Sequence, residues 1–183
     1  MHEQYIEYSH AGTLLEGFYV NPARAGEKRP AVLISHAWAG RDEFVIEKAK
    51  ALAGLGYAAF ALDNYGKGVL GSSTEENSGL MGPFLADRAL LRDRLQAGLA
   101  TLRAQPGVDA DRIAIMGYCF GGLCALDLAR SGADIRGAIS FHGLFLPSGL
   151  EPRPITAKVL ALHGYADPMV PPEQVVSFGK EMT

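Results

Sequence analysis

The amino-acid sequence predicts an α/β fold, a mostly parallel sheet with an N-terminal antiparallel hairpin and helices on both faces. Three observations favour this fold. Alternating apolar residues on either side of His10-Ala11-Gly12 indicate the hairpin, short apolar runs then alternate with segments of helical periodicity, and one apolar run leads through a glycine-rich turn into a helix. With 183 residues, 48% of them hydrophobic, the chain is expected to form a single domain over residues 1–183.

The individual elements follow from these patterns in chain order. Strands covered on both faces are apolar throughout, whereas helices on a sheet repeat apolar residues every three or four positions, with charges opposite. The glycine- and serine-rich residues 64–83 are expected to form a loop over one end of the sheet. The predicted strands are residues 5–8, 14–20, 31–35, 57–62, 113–116, 135–141 and 158–162, and the predicted helices are residues 43–55, 84–104 and 123–129 and a last one from Pro171.

Composition and charge argue against several classes of protein. The net charge of −3 and the lack of a basic run disfavour nucleic acid or an anionic membrane as a partner. No apolar stretch is long enough to cross a bilayer, no signal pattern opens the chain, and Cys119 and Cys124 are badly placed to form a disulfide with each other, so we expect a cytoplasmic protein. Scattered histidines and the missing phosphate-loop pattern predict neither a metal site nor a cofactor.

The most informative segment is Gly117-Tyr118-Cys119-Phe120-Gly121-Gly122, which follows an apolar strand and precedes a helix. A strand that turns this sharply strains its central residue by ~1–3 kcal/mol, and only flanking glycines avoid a clash across the turn. The pattern therefore predicts Cys119 as a nucleophile at the carboxyl end of a central strand, where the start of the helix favours the thiolate. The alternative is a small buried cysteine that only fills space.

Asp167 is the second candidate for a catalytic role. It follows the strand at residues 158–162, between small residues and Pro168. In hydrolases built on such a sheet, the acid comes after the nucleophile in the chain, and it orients a histidine and stabilises its cation. The alternative is an aspartate that stabilises the turn at Pro168 or caps the next helix.

The sequence resembles the dienelactone hydrolases over nearly its whole length, from the hairpin to Pro172. The resemblance rests on Gly-Tyr-Cys-Phe-Gly-Gly at residues 117–122, His-Gly-x-x-Asp-Pro at residues 163–168, and His-Ala-Trp-Ala-Gly at residues 36–40. The cysteine in the first motif is the specific feature, because most proteins of the wider fold carry serine there.

This resemblance implies an α/β-hydrolase that opens lactones or cleaves esters through a cysteine acyl-enzyme. Cys119 would be the nucleophile and Asp167 the acid of the triad. The backbone N–H groups of Phe120 and Trp38 would form the oxyanion hole. The expected partner is a small-molecule ester or lactone.

The chain also departs from the family pattern. Archetypal members carry a glutamate in the loop after the third strand, where this chain has Ala37, so dienelactone itself is not the expected substrate. The arginines that bind a substrate carboxylate in the family have no assignable match in this sequence, and Arg88 is one candidate.

The larger departure concerns the catalytic histidine, which in the family follows the acid after another helix and strand. All five histidines precede Asp167: His2, His10, His36, His142 and His163. We therefore expect a chain cut short at Thr183, without the last strand and helix, and weakly active or inactive. His142 is the alternative base, because it ends the strand next to the cysteine turn.

A missing last strand has a structural consequence. Residues 158–162 would form an unprotected sheet edge with open apolar surface, through which the chain could self-associate. Two other functions stay open: a non-catalytic ligand-binding protein that keeps the fold, and a redox sensor in which Cys119 is oxidised.

Overall fold

Seven strands form one sheet in the computed structural model, which describes residues Met1–Thr183. The strands are β1 (His2–His10), β2 (Thr13–Asn21), β3 (Arg29–Ser35), β4 (Ala58–Ala61), β5 (Val108–Tyr118), β6 (Gly137–Phe141) and β7 (Lys158–Leu162). Their order is β1-β2-β4-β3-β5-β6-β7. Strand β2 is antiparallel to both β1 and β4, and all other neighbours are parallel, which confirms the predicted fold class.

Helices cover both faces of the sheet. They are α1 (Glu43–Gly54), α2 (Thr74–Ala86), α3 (Arg88–Arg103), α4 (Phe120–Arg130) and α5 (Pro172–Glu181). Helix α1 packs with β2, β3 and β4 on one face, whereas α3 and α4 contribute to a larger core on the opposite face. Strands β3 and β4 lie between these layers and are almost wholly buried, as their apolar sequences predict. None of the five helices combines the length and apolar composition needed to cross a bilayer.

The prediction of a loop over residues 64–83 is wrong in its second half, where α2 forms. Ser73 caps this helix, since its side chain accepts a hydrogen bond from the N–H of Glu76. The Glu76 carboxylate in turn accepts from the N–H of Ser72. A serine followed three residues later by glutamate is a helix-start signal that the glycine and serine content of the segment obscured.

The single helix predicted over residues 84–104 is two helices. The chain leaves helical geometry at Asp87, which has φ −120° and ψ 88°. The Asp87 carboxylate accepts a hydrogen bond from the N–H of Leu90, so the same residue ends α2 and caps α3. The leucine periodicity within α3 is as predicted, with Leu91, Leu95 and Leu99 buried.

Strand β7 forms one edge of the sheet, next to β6. Its side chains alternate between two environments: Val159 and Ala161 pack against the larger core, whereas Leu160 and Leu162 are 51% and 45% exposed. An edge strand with exposed leucines is the arrangement that the sequence predicts for residues 158–162.

Candidate active site

The turn between β5 and α4 holds Cys119 in a strained conformation, with φ 56° and ψ −117°. A Cβ atom placed on Gly117 would lie 2.0 Å from the carbonyl oxygen of Gly121, and one placed on Gly121 would lie 2.1 Å from the carbonyl oxygen of Ser35. No side chain fits at such distances, so both positions require glycine. The sharp turn that the sequence predicts is therefore present, and it presses the start of α4 against the end of β3.

The Cys119 thiol is partly buried at this turn. Its backbone N–H donates to the carbonyl oxygen of Phe141 (3.0 Å), which ties the turn to the end of β6. Burial raises the pKa of the Cys119 thiol, a hydrogen bond from the N–H of Phe120 opposes this rise, and the negative charge of Asp167 adds to it. The N–H at the helix start thus favours the thiolate, as the sequence predicts, but burial and the charge of Asp167 act against it and the pKa of the thiol is raised overall.

Asp167 lies in the loop after β7, close enough to Cys119 for its charge to act on the sulfur. Its carboxylate accepts a hydrogen bond from the N–H of Met169 (2.8 Å), and its own N–H donates to the carbonyl oxygen of Gly164 (3.1 Å). The residue thus stabilises the turn before α5. It also brings a carboxylate to the carboxyl end of the sheet, near the thiol.

The residues expected to form an oxyanion hole lie on either side of this turn. Phe120 is the first residue of α4, so its N–H has no acceptor within the helix and faces the Cys119 sulfur. Trp38 lies in the loop after β3, where its carbonyl oxygen accepts from the Tyr65 hydroxyl (3.0 Å). The N–H of Trp38 has no acceptor among residues 1–183.

The histidines that could act as a base lie in environments that do not connect them to Cys119 or Asp167. His36 is fully buried, and main-chain groups bond both of its ring nitrogens. His163 has both ring nitrogens buried without a partner. His142 is exposed, with φ 42°. None of the five histidine side chains hydrogen-bonds to Cys119 or Asp167.

Arg88 is not available to bind a substrate carboxylate. It is buried, and its Nε donates to the Asp127 carboxylate at 2.7 Å. Arg130 pairs with the other oxygen of Asp127 (3.2 Å) and makes two 2.7 Å hydrogen bonds to Glu181 in α5. The guanidinium of Arg88 therefore belongs to a buried ion-pair network. The expectation that Arg88 is a candidate for binding a substrate carboxylate is wrong.

Comparison with known proteins supplies the identification, because the model of the dienelactone hydrolase family matches residues 15–183. The chain belongs to the dienelactone hydrolase family. Among solved structures it is 38% identical to m3DLH, with a TM-score of 0.91 over 98% of this chain and 75% of that one. It is 33% identical to a dienelactone hydrolase-like promiscuous phosphotriesterase from metagenomic libraries, with a TM-score of 0.89 over 99% of this chain and 76% of that one.

Curated relatives include a probable 2-oxo-3-(5-oxofuran-2-ylidene)propanoate lactonase from Bradyrhizobium sp. It is 30% identical over 164 residues, which cover 84% of this chain and 65% of that protein. An uncharacterized protein of Caenorhabditis elegans is 40% identical over 97 residues, which cover 50% of this chain and 60% of that protein. The chain thus spans less than two thirds of the length of these two relatives.

One residue at the site of this dienelactone hydrolase family member, Tyr65, lies in no motif that the sequence singles out. Its ring packs edge-on against His36 (4.7 Å between centroids) and parallel to Phe120 (6.1 Å). Burial raises its pKa, and the nearby thiols of Cys124 and Cys119 add to that rise. Its position just after β4, at the same end of the sheet as Cys119, was the signal that could have identified it.

Proposed function

We propose that this chain is a cysteine-dependent hydrolase that cleaves a carboxylic ester or lactone through an acyl-enzyme. The observation that carries the proposal is the strained conformation of Cys119 at the turn between β5 and α4, next to the N–H of Phe120, which acts to lower the pKa of the thiol. A family of hydrolases and a relative described as a probable lactonase support the substrate class.

In the proposed reaction, the Cys119 sulfur attacks the carbonyl carbon of the substrate. A carbon–sulfur bond forms, the N–H groups of Phe120 and Trp38 bind the oxyanion, and the alcohol leaves with a proton. Water then attacks the thioester and releases the acid. Because burial raises the pKa of the thiol, rapid turnover in this reaction needs a general base such as histidine. Asp167 would orient that histidine and stabilise its imidazolium form.

No histidine among residues 1–183 hydrogen-bonds to Cys119 or Asp167, as the general base would have to. We therefore expect residues 1–183 alone to be acylated at Cys119 but to turn over weakly. A protease that lacks one member of its triad keeps only roughly 10³–10⁴-fold enhancement over water.

The release of p-nitrophenolate from p-nitrophenyl acetate tests the proposal. We expect a burst that is close to stoichiometric, followed by slow turnover. Cys119→Ala should abolish the burst, and Cys124→Ala, which removes the other free cysteine, should keep it. A burst of equal size in Cys119→Ala would contradict the proposal. Rapid turnover that His142→Ala abolishes would instead assign His142 as the base.

The two alternative functions make different predictions. A redox sensor needs a cysteine of low pKa, so the raised pKa of Cys119 counts against that function. A non-catalytic binding protein would retain a ligand without p-nitrophenolate release, which the same assay detects.

The proposed partner is a small-molecule ester or lactone. We also propose that a second copy of the chain docks at the β7 edge, where Leu160 and Leu162 are exposed. The two free cysteines support the proposal of a cytoplasmic location.

A further inference from the structure

The loop after β3 contains a hydrogen bond that sets the direction of the Trp38 N–H. The Nδ1 of His36 lies 2.6 Å from the carbonyl oxygen of Ala37, so the ring donates to that oxygen. This carbonyl belongs to the same peptide unit as the Trp38 N–H. Because a trans peptide unit is planar, with its C=O and N–H pointing in opposite directions, a fixed carbonyl also fixes the N–H.

The second ring nitrogen of His36 determines the form of this histidine. The N–H of Asn64 donates to Nε2 at 3.1 Å, which leaves Nδ1 as the position of the single ring proton. His36 is fully buried, and burial lowers its pKa, so the neutral form persists. With both nitrogens bonded to main-chain groups, His36 is unsuited to proton transfer and well suited to hold a peptide.

Tyr65 holds the next peptide unit. Its hydroxyl donates to the Trp38 carbonyl oxygen at 3.0 Å, so Trp38 has one neighbouring peptide fixed by His36 and the other by Tyr65. The Tyr65 ring also packs on Phe120, the other proposed oxyanion donor. One side chain thus contacts both sides of the proposed oxyanion hole.

The segment that carries Tyr65 is itself firmly anchored. The Asp63 carboxylate accepts from the N–H groups of Tyr65 (2.9 Å) and Gly66 (3.0 Å). Arg94, buried on α3, donates to the carbonyl oxygen of Asn64 at 2.9 Å. These bonds limit the movement of the Tyr65 hydroxyl, and hence of the Trp38 carbonyl that it holds.

We propose that His36 and Tyr65 are positioning residues that keep the Trp38 N–H directed at the oxygen of the acylation intermediate. In this role both side chains act through the main chain of residues 37–39, because His36 contacts the Ala37 carbonyl and Tyr65 the Trp38 carbonyl. The inference rests on the proposed function, because it requires that Cys119 be acylated.

Two reactions of Cys119 separate this role from a general effect on the thiol. Acylation by p-nitrophenyl acetate forms a carbon–sulfur bond, expels p-nitrophenolate and passes through an oxyanion. Alkylation by iodoacetamide also forms a carbon–sulfur bond, but it expels iodide and needs no oxyanion hole. Both reactions use the thiolate, so the ratio of the two rates isolates the contribution of the oxyanion hole.

Tyr65→Phe keeps the ring packing and removes only the hydroxyl. We expect acylation to slow by about tenfold, less than the ~10²–10³-fold loss from removing a whole oxyanion donor, with alkylation unchanged. Tyr19→Phe is the matched control, because the Tyr19 hydroxyl also donates to a main-chain carbonyl, that of Pro106 (3.2 Å), which precedes the amino end of β5. It should change neither rate.

Substitutions of His36 test the hydrogen bond between its Nδ1 and the Ala37 carbonyl oxygen. His36→Asn keeps a nitrogen donor near the position of Nδ1, whereas His36→Leu removes it. We expect His36→Asn to retain more of the acylation rate than His36→Leu, with equal alkylation rates. If His36→Leu fails to fold, Tyr65→Phe decides the question alone.

An unchanged acylation rate in Tyr65→Phe, or acylation and alkylation that fall in parallel, would overturn this inference and leave the proposed function standing. A wild-type chain that alkylates at Cys119 but never acylates there would overturn the proposed function, and this inference with it.

Discussion

The pKa of the Cys119 thiol is set by three influences with opposing effects. Burial and the charge of Asp167 raise the pKa of the thiol, whereas the N–H of Phe120 lowers it. The thiol form therefore predominates near neutral pH, and without a base only the small thiolate fraction is available to react. A cysteine that stays protonated until a base acts is protected from oxidation and unspecific alkylation.

The effect of Asp167 on Cys119 can be measured directly. Iodoacetamide reacts with the thiolate, so the alkylation rate of the wild type should rise with pH around a midpoint above ~8.5, the ordinary cysteine pKa. Asp167→Asn keeps an oxygen that can accept from Met169 but removes the charge, so the midpoint should move to lower pH. Glu173→Gln, which neutralises an exposed carboxylate at the start of α5, should leave it in place. A midpoint in Asp167→Asn equal to or above that of the wild type would contradict the assigned charge effect.

Among the elements, α4 and α5 are joined by a buried network of ion pairs. The Asp127 side chain, 2% exposed, lies between Arg88 and Arg130, and Arg130 in turn binds Glu181. Arg130 also donates to the carbonyl oxygens of Phe145 and Leu146, so the loop after β6 is fastened to the same group. The network thus sets where α5 and the loop that precedes it, which carries Asp167, lie against the sheet.

Removing Asp127 should destabilise this arrangement strongly. Asp127→Ala leaves two buried guanidinium groups without their shared carboxylate, and we expect the free energy of unfolding to fall by about 3–5 kcal/mol. Asp93→Ala, in a pair whose side chains are 30% and 45% exposed, should change it by less than about 1 kcal/mol. Urea denaturation followed by circular dichroism measures both. Similar small losses in the two variants would show that the network contributes little.

The sequence predicted the elements whose signals are local. The apolar runs of β3 and β4, the hairpin and the turn at Cys119 all depend on neighbouring residues. Helix α2 was missed because its capping serine lies in a segment that resembles a loop. The break at Asp87 was missed because the leucine periodicity of α3 was extended backwards through it.

The contacts of the candidate site were less accessible from sequence. Cys119 and Asp167 lie in recognisable motifs, so their places at one end of the sheet could be predicted. The hydrogen bonds of His36 and Tyr65 to the main chain around Trp38 could not be predicted, because they depend on how two loops that are distant in sequence pack together. The burial that raises the thiol pKa is likewise a property of packing and leaves no sequence signal.

At the scale of the whole molecule, the face of the sheet that carries α1 is covered at one end only. Helix α1 packs over β2, β3 and β4. At the other end of this face, Leu160 and Leu162 are exposed beside the partly buried Ile139 and Phe141 of β6. An apolar patch beside an unpaired strand edge favours association with another chain.

Self-association through this edge has a specific test. Leu160→Lys places a charge on the edge strand, and we expect it to shift the chain from oligomer to monomer in light scattering at matched concentrations. Leu55→Lys is the control, because Leu55 is 76% exposed at the end of α1, away from β7. A wild type that is monomeric at all concentrations, or equal effects of the two variants, would contradict association at β7.

The identity of the acylated residue tests the central claim most directly. After brief treatment with p-nitrophenyl acetate and an acid quench, peptide mass spectrometry locates the acetyl group. We predict one acetyl group per chain on Cys119 and an unmodified Cys124. An acetyl group on another residue, or no acetyl group on a chain whose Cys119 still reacts with iodoacetamide, would contradict the assignment of Cys119 as the nucleophile.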